Sequence, residues 1–168
     1  MAIIENLRLP LIIFAAIGSA LSAGIFFAFS TFVMQALGQQ PSNQGIATMQ
    51  SINITVINPW FMVAFFGPAL ACLLLTIAAL QNWREPNSMY WLVGSLLYLV
   101  GTIGVTIAGN IPLNDALAVV IPDSTEGATL WVRYLNDWTF WNHVRTVAAF
   151  FAAALFTISL CQRTGLPT

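Results

Sequence analysis

The chain has 168 residues, 58% of them hydrophobic and only 7% charged, with a formal net charge of −1 and no lysine. A soluble domain carries about a quarter charged residues. This composition therefore excludes a solvated globular surface and points to a single polytopic integral membrane domain. Nucleic acid is excluded as a partner, because no basic patch exists to neutralise phosphates. Cys72 and Cys161 sit far apart in sequence and at different expected depths, so a disulfide is not expected. No Cys-x-x-Cys motif is present, which argues against a thiol–disulfide exchanger.

Four apolar stretches are long enough to cross about 30 Å of hydrocarbon, which takes roughly 20 helical residues. They run over about 11–37, 59–80, 90–110 and 138–161. The first contains Ser19-Ala20-Leu21-Ser22-Ala23, a small-residue string of the kind found at signal cleavage sites. Its apolar run continues through Phe32 and Val33, which is too long for a signal core, so a retained span is expected. Between Gln39 and Asn58, apolar residues at Ile46, Met49, Ile52, Val56 and Ile57 approach helical spacing. They predict a short amphipathic helix lying on the membrane or capping the bundle. Pro59 suits the first turn of the second span.

The Gln81–Met89 connection is short and makes the second and third spans an antiparallel hairpin. Pro112 disfavours helix at Ile111, so the third span is expected to end there. Asp123 with Glu126 three residues on resembles a capping box and predicts a further helix through Leu135. That helix either continues into the fourth span or breaks near Asn136-Asp137. The expected fold is thus all-α, a four-transmembrane-helix bundle with short amphipathic or capping helices in the two outer loops. All six tryptophans fall near span ends, the pattern of an aromatic belt. Ser19, Ser22, Gly24, Gly94, Gly101, Gly104 and Gly109 read as close helix packing.

Arg8, Arg84 and Arg163 flank one side of the bundle and Arg133 the other, with Arg145 inside the fourth span. By the positive-inside rule this places both termini in the cytoplasm.

Polar residues converge on the opposite, outer end. Asn58 opens the second span, Asn110 and Asn114 close the third, and Asn142, His143 and Arg145 lie in the first turns of the fourth. Polar groups at such depth must be hydrogen-bonded internally or face water. Helical geometry limits how they combine. At about 100° per residue, His143 and Arg145 stand about 160° apart, whereas Trp138, Asn142 and Arg145 share a face. One of His143 and Arg145 then serves structure, or each reaches a different partner. Asp115 or Asp137 is expected to neutralise Arg145, since a buried arginine needs a counter-ion. His143, the chain's only histidine, suits proton abstraction near neutrality, and nearby amide and guanidinium donors suit an oxyanion. The plainer reading has His143 fastening a loop carbonyl, Arg145 in a structural ion pair or on a lipid headgroup, and Asn110 and Asn114 capping the loop. One histidine, two remote cysteines and scattered carboxylates make no metal-ligand set.

The string Asn110-Ile111-Pro112-Leu113-Asn114-Asp115-Ala116-Leu117, then Trp131, then Trp138-x-x-Trp141-Asn142-His143-x-Arg145-Thr146, resembles the anthrone oxygenase-like membrane family. The resemblance extends over most of the chain, including Asn58-Pro59 and the four-span layout. It implies oxidation of an anthrone- or quinol-like substrate by molecular oxygen without metal or flavin cofactor. A base would remove an acidic C–H or phenolic proton, and the electron-rich anion would react with oxygen. On that reading His143 is the base and Asn110, Asn114 and Asn142 bind the oxyanion. Arg145 orients the substrate, and Asn58, Trp138 and Trp141 complete its binding site. The competing reading is a non-catalytic membrane subunit or lipid- or small-ligand-binding protein in a larger complex. Wide apolar faces rich in Phe and Gly also leave room for a homo-oligomer. A transporter is disfavoured, because the spans lack a charged relay.

Overall fold

The computed structural model describes residues 2–164, with side chains over 7–162; the Arg163 side chain lies outside that description. Among the described residues every regular element is helical. Helix α1 covers 2–38, as Ala2–Ala28, a widened π turn Phe29–Val33 and Met34–Gly38. Helix α2 is Ser42–Thr55 and α3 is Pro59–Gln81. Helix α4 covers 88–118, with π segments at Leu97–Gly104 and Thr106–Asn110. Helix α5 is Thr125–Thr164. Four of these, α1, α3, α4 and α5, contain stretches long and apolar enough to cross a membrane, and the protein is an integral membrane protein. Its two ends differ: one carries the start of α1, the end of α5 and the short α3–α4 turn, the other carries α2 and the α4–α5 connection.

The packing falls into two cores. At mid-span, alanines dominate: Ala15 and Ala16 of α1, Ala71 and Ala79 of α3, and Ala149 and Ala152 of α5 are buried around Leu75, Tyr98 and Phe156. Small residues let backbones approach where hydrophobicity alone gives no drive between helices in lipid. At Gly18 a Cβ would lie 2.0 Å from Pro68 Cγ, so only glycine admits that crossing of α1 and α3. Hydrogen bonds fix the register: Trp91 Nε1 donates to Ser159 Oγ at 2.6 Å and the Tyr98 hydroxyl to the Phe65 carbonyl at 2.9 Å. At the turn end, Arg8 of α1 reaches Glu85 at 2.7 Å and lies 4.9 Å over the Trp91 ring.

The second core lies at the loop end. Helix α5 has 40 residues, about 60 Å at 1.5 Å per residue, against a hydrocarbon layer of about 30 Å. Its first turns therefore rise above the bundle and meet α2. Ile46 and Met49 of α2, Leu117 of α4, Met34 of α1 and Trp131, Tyr134 and Trp138 of α5 pack together there. The amphipathic segment is thus a cap. The Asn58 side chain accepts from Phe61 N at 3.0 Å and, with Pro59 at the first helical position, starts α3.

Four local expectations are corrected. Pro112 does not stop the third helix, which continues to Ala118. The π turn just before it changes the hydrogen-bond spacing, and a ladder so widened tolerates a residue without an N–H. The cap of α5 is Ser124, whose Oγ accepts from Gly127 N at 2.9 Å; Asp123 instead accepts from Asn43. Gly24 has no neighbour within 4 Å of a built Cβ and is no packing contact. Only Trp60, Trp83 and Trp141 are exposed as an aromatic belt requires; Trp91, Trp131 and Trp138 are buried in the two cores.

Candidate functional site

Between the two cores lies a cavity of about 290 Å³. That is roughly twice an apolar cavity of about 150 Å³ that accepts one benzene, so it matches a molecule of two or three fused rings. Its walls are apolar on most sides: Phe26 and Phe29 of α1, Met49 and Ile52 of α2, Phe61, Met62 and Phe65 of α3, and Ile111 of α4. The polar lining comes from Asn53, Thr106, Asn114 and Arg145, with Trp138 beside them.

Arg145 is the centre of this site. It is 5% exposed. Its NH1 donates to Thr106 Oγ1 at 3.2 Å and its NH2 to Asn142 Oδ1 at 2.5 Å. Its guanidinium carbon lies 4.3 Å from the Phe26 ring centroid and 5.2 Å from that of Trp138. Among the described residues its Nε has no hydrogen-bond partner, as is also true of Arg8 Nε. The counter-ion expected from Asp115 or Asp137 is absent. Asp115 is exposed and Asp137 pairs with Arg133 at 3.0 Å, one helical turn away. Among the described residues no carboxylate forms an ion pair with Arg145. Cation–π contacts return about 2 kcal/mol when desolvated, far below the cost of burying a full charge.

Asn142 holds the arginine in place. Its Nδ2 donates to the Phe26 carbonyl at 2.7 Å and to Ser30 Oγ at 2.6 Å, while its Oδ1 accepts from Arg145. The Phe26 carbonyl sits just ahead of the π turn in α1, where the ladder is opened and a side chain can enter it. Asn142 is thus buried between α1 and α5 and does not itself line the cavity. Asn114 is the reverse case. Its Oδ1 accepts from the Tyr134 hydroxyl and from Trp138 Nε1, both at 2.8 Å. Its carbonyl is thus doubly engaged, and the residue lines the cavity. Trp131, Tyr134 and Trp138 form a stacked series, with centroids 5.6 and 6.1 Å apart and planes within 15° and 21°.

The remaining candidates lie elsewhere. His143 is exposed on the outward face of α5, makes no hydrogen bond among the described residues and does not line the cavity. The angular offset from Arg145 is the reason: with Arg145 turned inward, the imidazole points away. Asn58 is a helix cap. Asn110 is buried and donates to the Trp138 carbonyl at 3.1 Å, tying α4 to α5. Trp141 packs on Gly109, where a Cβ would lie 2.7 Å from Trp141 Cγ. The site thus joins Arg145, Asn114 and Trp138, with Asn142 behind, and leaves out His143, Asn58, Asn110 and Trp141. Thr106, Asn53, Tyr134 and Phe26 belong to it without having been singled out in the sequence. Tyr134 alone carried a signal, since Trp131, Tyr134, Trp138, Asn142 and Arg145 follow one helical stripe.

A buried cation without a carboxylate, at the wall of a cavity with aromatic sides, is suited to hold an apolar ring system through an anionic oxygen. No curated protein and no solved structure matches the chain. The family model for Anthrone oxygenase matches residues 60–155, a region that contains Thr106, Asn114, Trp138, Asn142 and Arg145. With more than half of its length matched, the chain belongs to the anthrone oxygenase family.

Proposed function

We propose that the protein is a membrane oxygenase acting on an apolar, enolisable aromatic of the anthrone class. The observation that carries this reading is Arg145, a buried cation without a carboxylate, at the wall of a cavity of about 290 Å³. Burial of an unbalanced positive charge favours the ionised form of whatever binds beside it. An anthrone's enol tautomer ionises at oxygen and spreads the charge to the ring carbon opposite. Arg145 and the Asn114 amide hold that oxygen, and Phe26, Phe29, Phe65 and Trp138 sandwich the rings.

The chemistry follows from the anion. Its electron-rich carbon reduces bound dioxygen and forms a C–O bond, and a proton from water completes the hydroperoxide. Loss of water then leaves a carbonyl. The net change is CH2 + O2 → C=O + H2O. The lining offers no carboxylate or imidazole, so a water molecule admitted with the ligand takes its proton and returns it to the peroxide, and Arg145 supplies the electrostatic part of the catalysis. His143 has no role in this scheme. Arg8 and Arg84 at the turn end against Arg133 at the loop end support termini in the cytoplasm.

Oxygen uptake by nanodisc-embedded protein supplied with an anthrone tests the reading. Turnover should be lost in Arg145→Gln with the helical fold intact. The same lack of a proton acceptor favours a second reading, a ligand-binding protein without turnover. Anthrone binding that depends on Arg145 but consumes no oxygen would select it.

A further inference from the structure

We infer that the cavity is filled sideways from the bilayer, through a gap between α3 and α4, and not from the water at the loop end. The inference rests on the cavity being a ligand site. Its first support is the helix arrangement. Helix α3 packs closely on α4 along Ser88–Leu96, more loosely along Leu97–Gly104, and separates from it by Thr106–Asn110. Contact between the two helices thus runs out at the level of the cavity, near the start of α3.

The second support is where the cavity wall is bare. Three of its residues are strongly exposed, Ile57 at 71%, Phe66 at 52% and Ile111 at 42%. All are apolar: Phe66 belongs to α3, Ile111 to α4, and Ile57 to the connection that leads into α3. Phe66 lies seven residues inside α3, about 10 Å below its start, so the gap faces hydrocarbon.

The third support is the seal on the aqueous side. Helix α2 covers that face with Ile46 and Met49, which are fully buried with Leu117. Gln50 Nε2 donates to the Leu117 carbonyl at 2.8 Å and the Val120 carbonyl at 3.0 Å, and Asn43 Nδ2 to Asp123 Oδ1 at 2.6 Å. An apolar ring system is already concentrated in the bilayer, so a lateral portal spares it a passage through water.

Thiol labelling in sealed vesicles tests the portal without needing anion binding. Met62 lines the cavity, so Met62→Cys in a Cys72→Ala, Cys161→Ser background places a reporter inside. N-phenylmaleimide, which partitions into lipid, should label it. A charged methanethiosulfonate, added to both sides, should not. Narrowing the gap with Ile111→Trp should slow N-phenylmaleimide at least tenfold, and widening it with Phe66→Ala should speed it about threefold. No labelling by the maleimide, equal labelling by the charged reagent, or rates insensitive to both gap variants would overturn the portal. Faster labelling on Gln50→Ala, which opens the cap, would point to the aqueous route and overturn it as well. Loss of Arg145-dependent anthrone binding would instead sink the functional reading and leave the portal standing.

Discussion

Among the described residues two arginines lie buried, and they sit in opposite electrostatic settings. Arg8, at the turn end, is 8% exposed, reaches Glu85 at 2.7 Å and lies over Trp91. Arg145, toward the loop end, is equally buried and also lies over aromatic rings, but its partners are a threonine hydroxyl and an asparagine carbonyl. Arg8 closes its own charge and pins α1 to the α3–α4 turn. Arg145 leaves its charge open toward a cavity. A fold keeps such an imbalance where a ligand completes it, and strongly perturbed charges cluster at functional sites for this reason.

The comparison can be broken from either side. The largest effect is expected for Arg145→Gln. Loss of one oxyanion-directed donor costs about 10²–10³ in rate, so oxygen uptake with an anthrone should fall by at least 100-fold. Thermal stability should hold or rise, because an unbalanced buried charge is removed. A collapse in melting temperature would mean that Arg145 is a second Arg8. Next comes Thr106→Asp, which supplies the missing carboxylate to Arg145. It should abolish anthrone binding in isothermal titration while leaving the bundle folded; unchanged affinity would show that the open charge is not what binds.

Glu85→Gln makes the converse change and strands Arg8. Loss of a charged hydrogen-bonded pair there should cost about 2 kcal/mol of stability, seen as a lower melting temperature, with anthrone affinity within twofold of the unsubstituted protein. Smallest is His143→Ala. An exposed residue without a hydrogen bond should change stability by less than about 0.5 kcal/mol and turnover by less than twofold. A hundredfold loss of turnover would restore the histidine to the reaction.

The contrast also marks what the sequence discloses. The four spans follow from hydropathy and length, and α2 follows from the spacing of Ile46, Met49 and Ile52. The 100° rule places Trp138, Asn142 and Arg145 on one face and His143 on another, and that arrangement is observed. Asp137, expected from the sequence as a counter-ion for Arg145 alongside Asp115, pairs instead with Arg133 one turn away. Other features depend on how helices sit against each other. Thr106 and Phe26 approach Arg145 only because α1 and α4 carry widened turns, and no local residue pattern in an apolar span announces a π turn. The passage of α4 through Pro112 has the same origin. Asn114 reads as a loop cap until the hydrogen bonds of Tyr134 and Trp138 hold it at the cavity wall.

The near-parallel rings of Trp131, Tyr134 and Trp138 have an optical consequence. Neighbouring aromatic transitions held at fixed angles couple, and coupled transitions rotate polarised light in the near ultraviolet. The lowest of the three rings borders the cavity and the upper two belong to the cap, so any rearrangement between those levels would change the couplet. The protein thus carries its own gauge, readable in the bilayer without a label, for how far the lid and the chamber beneath it move together.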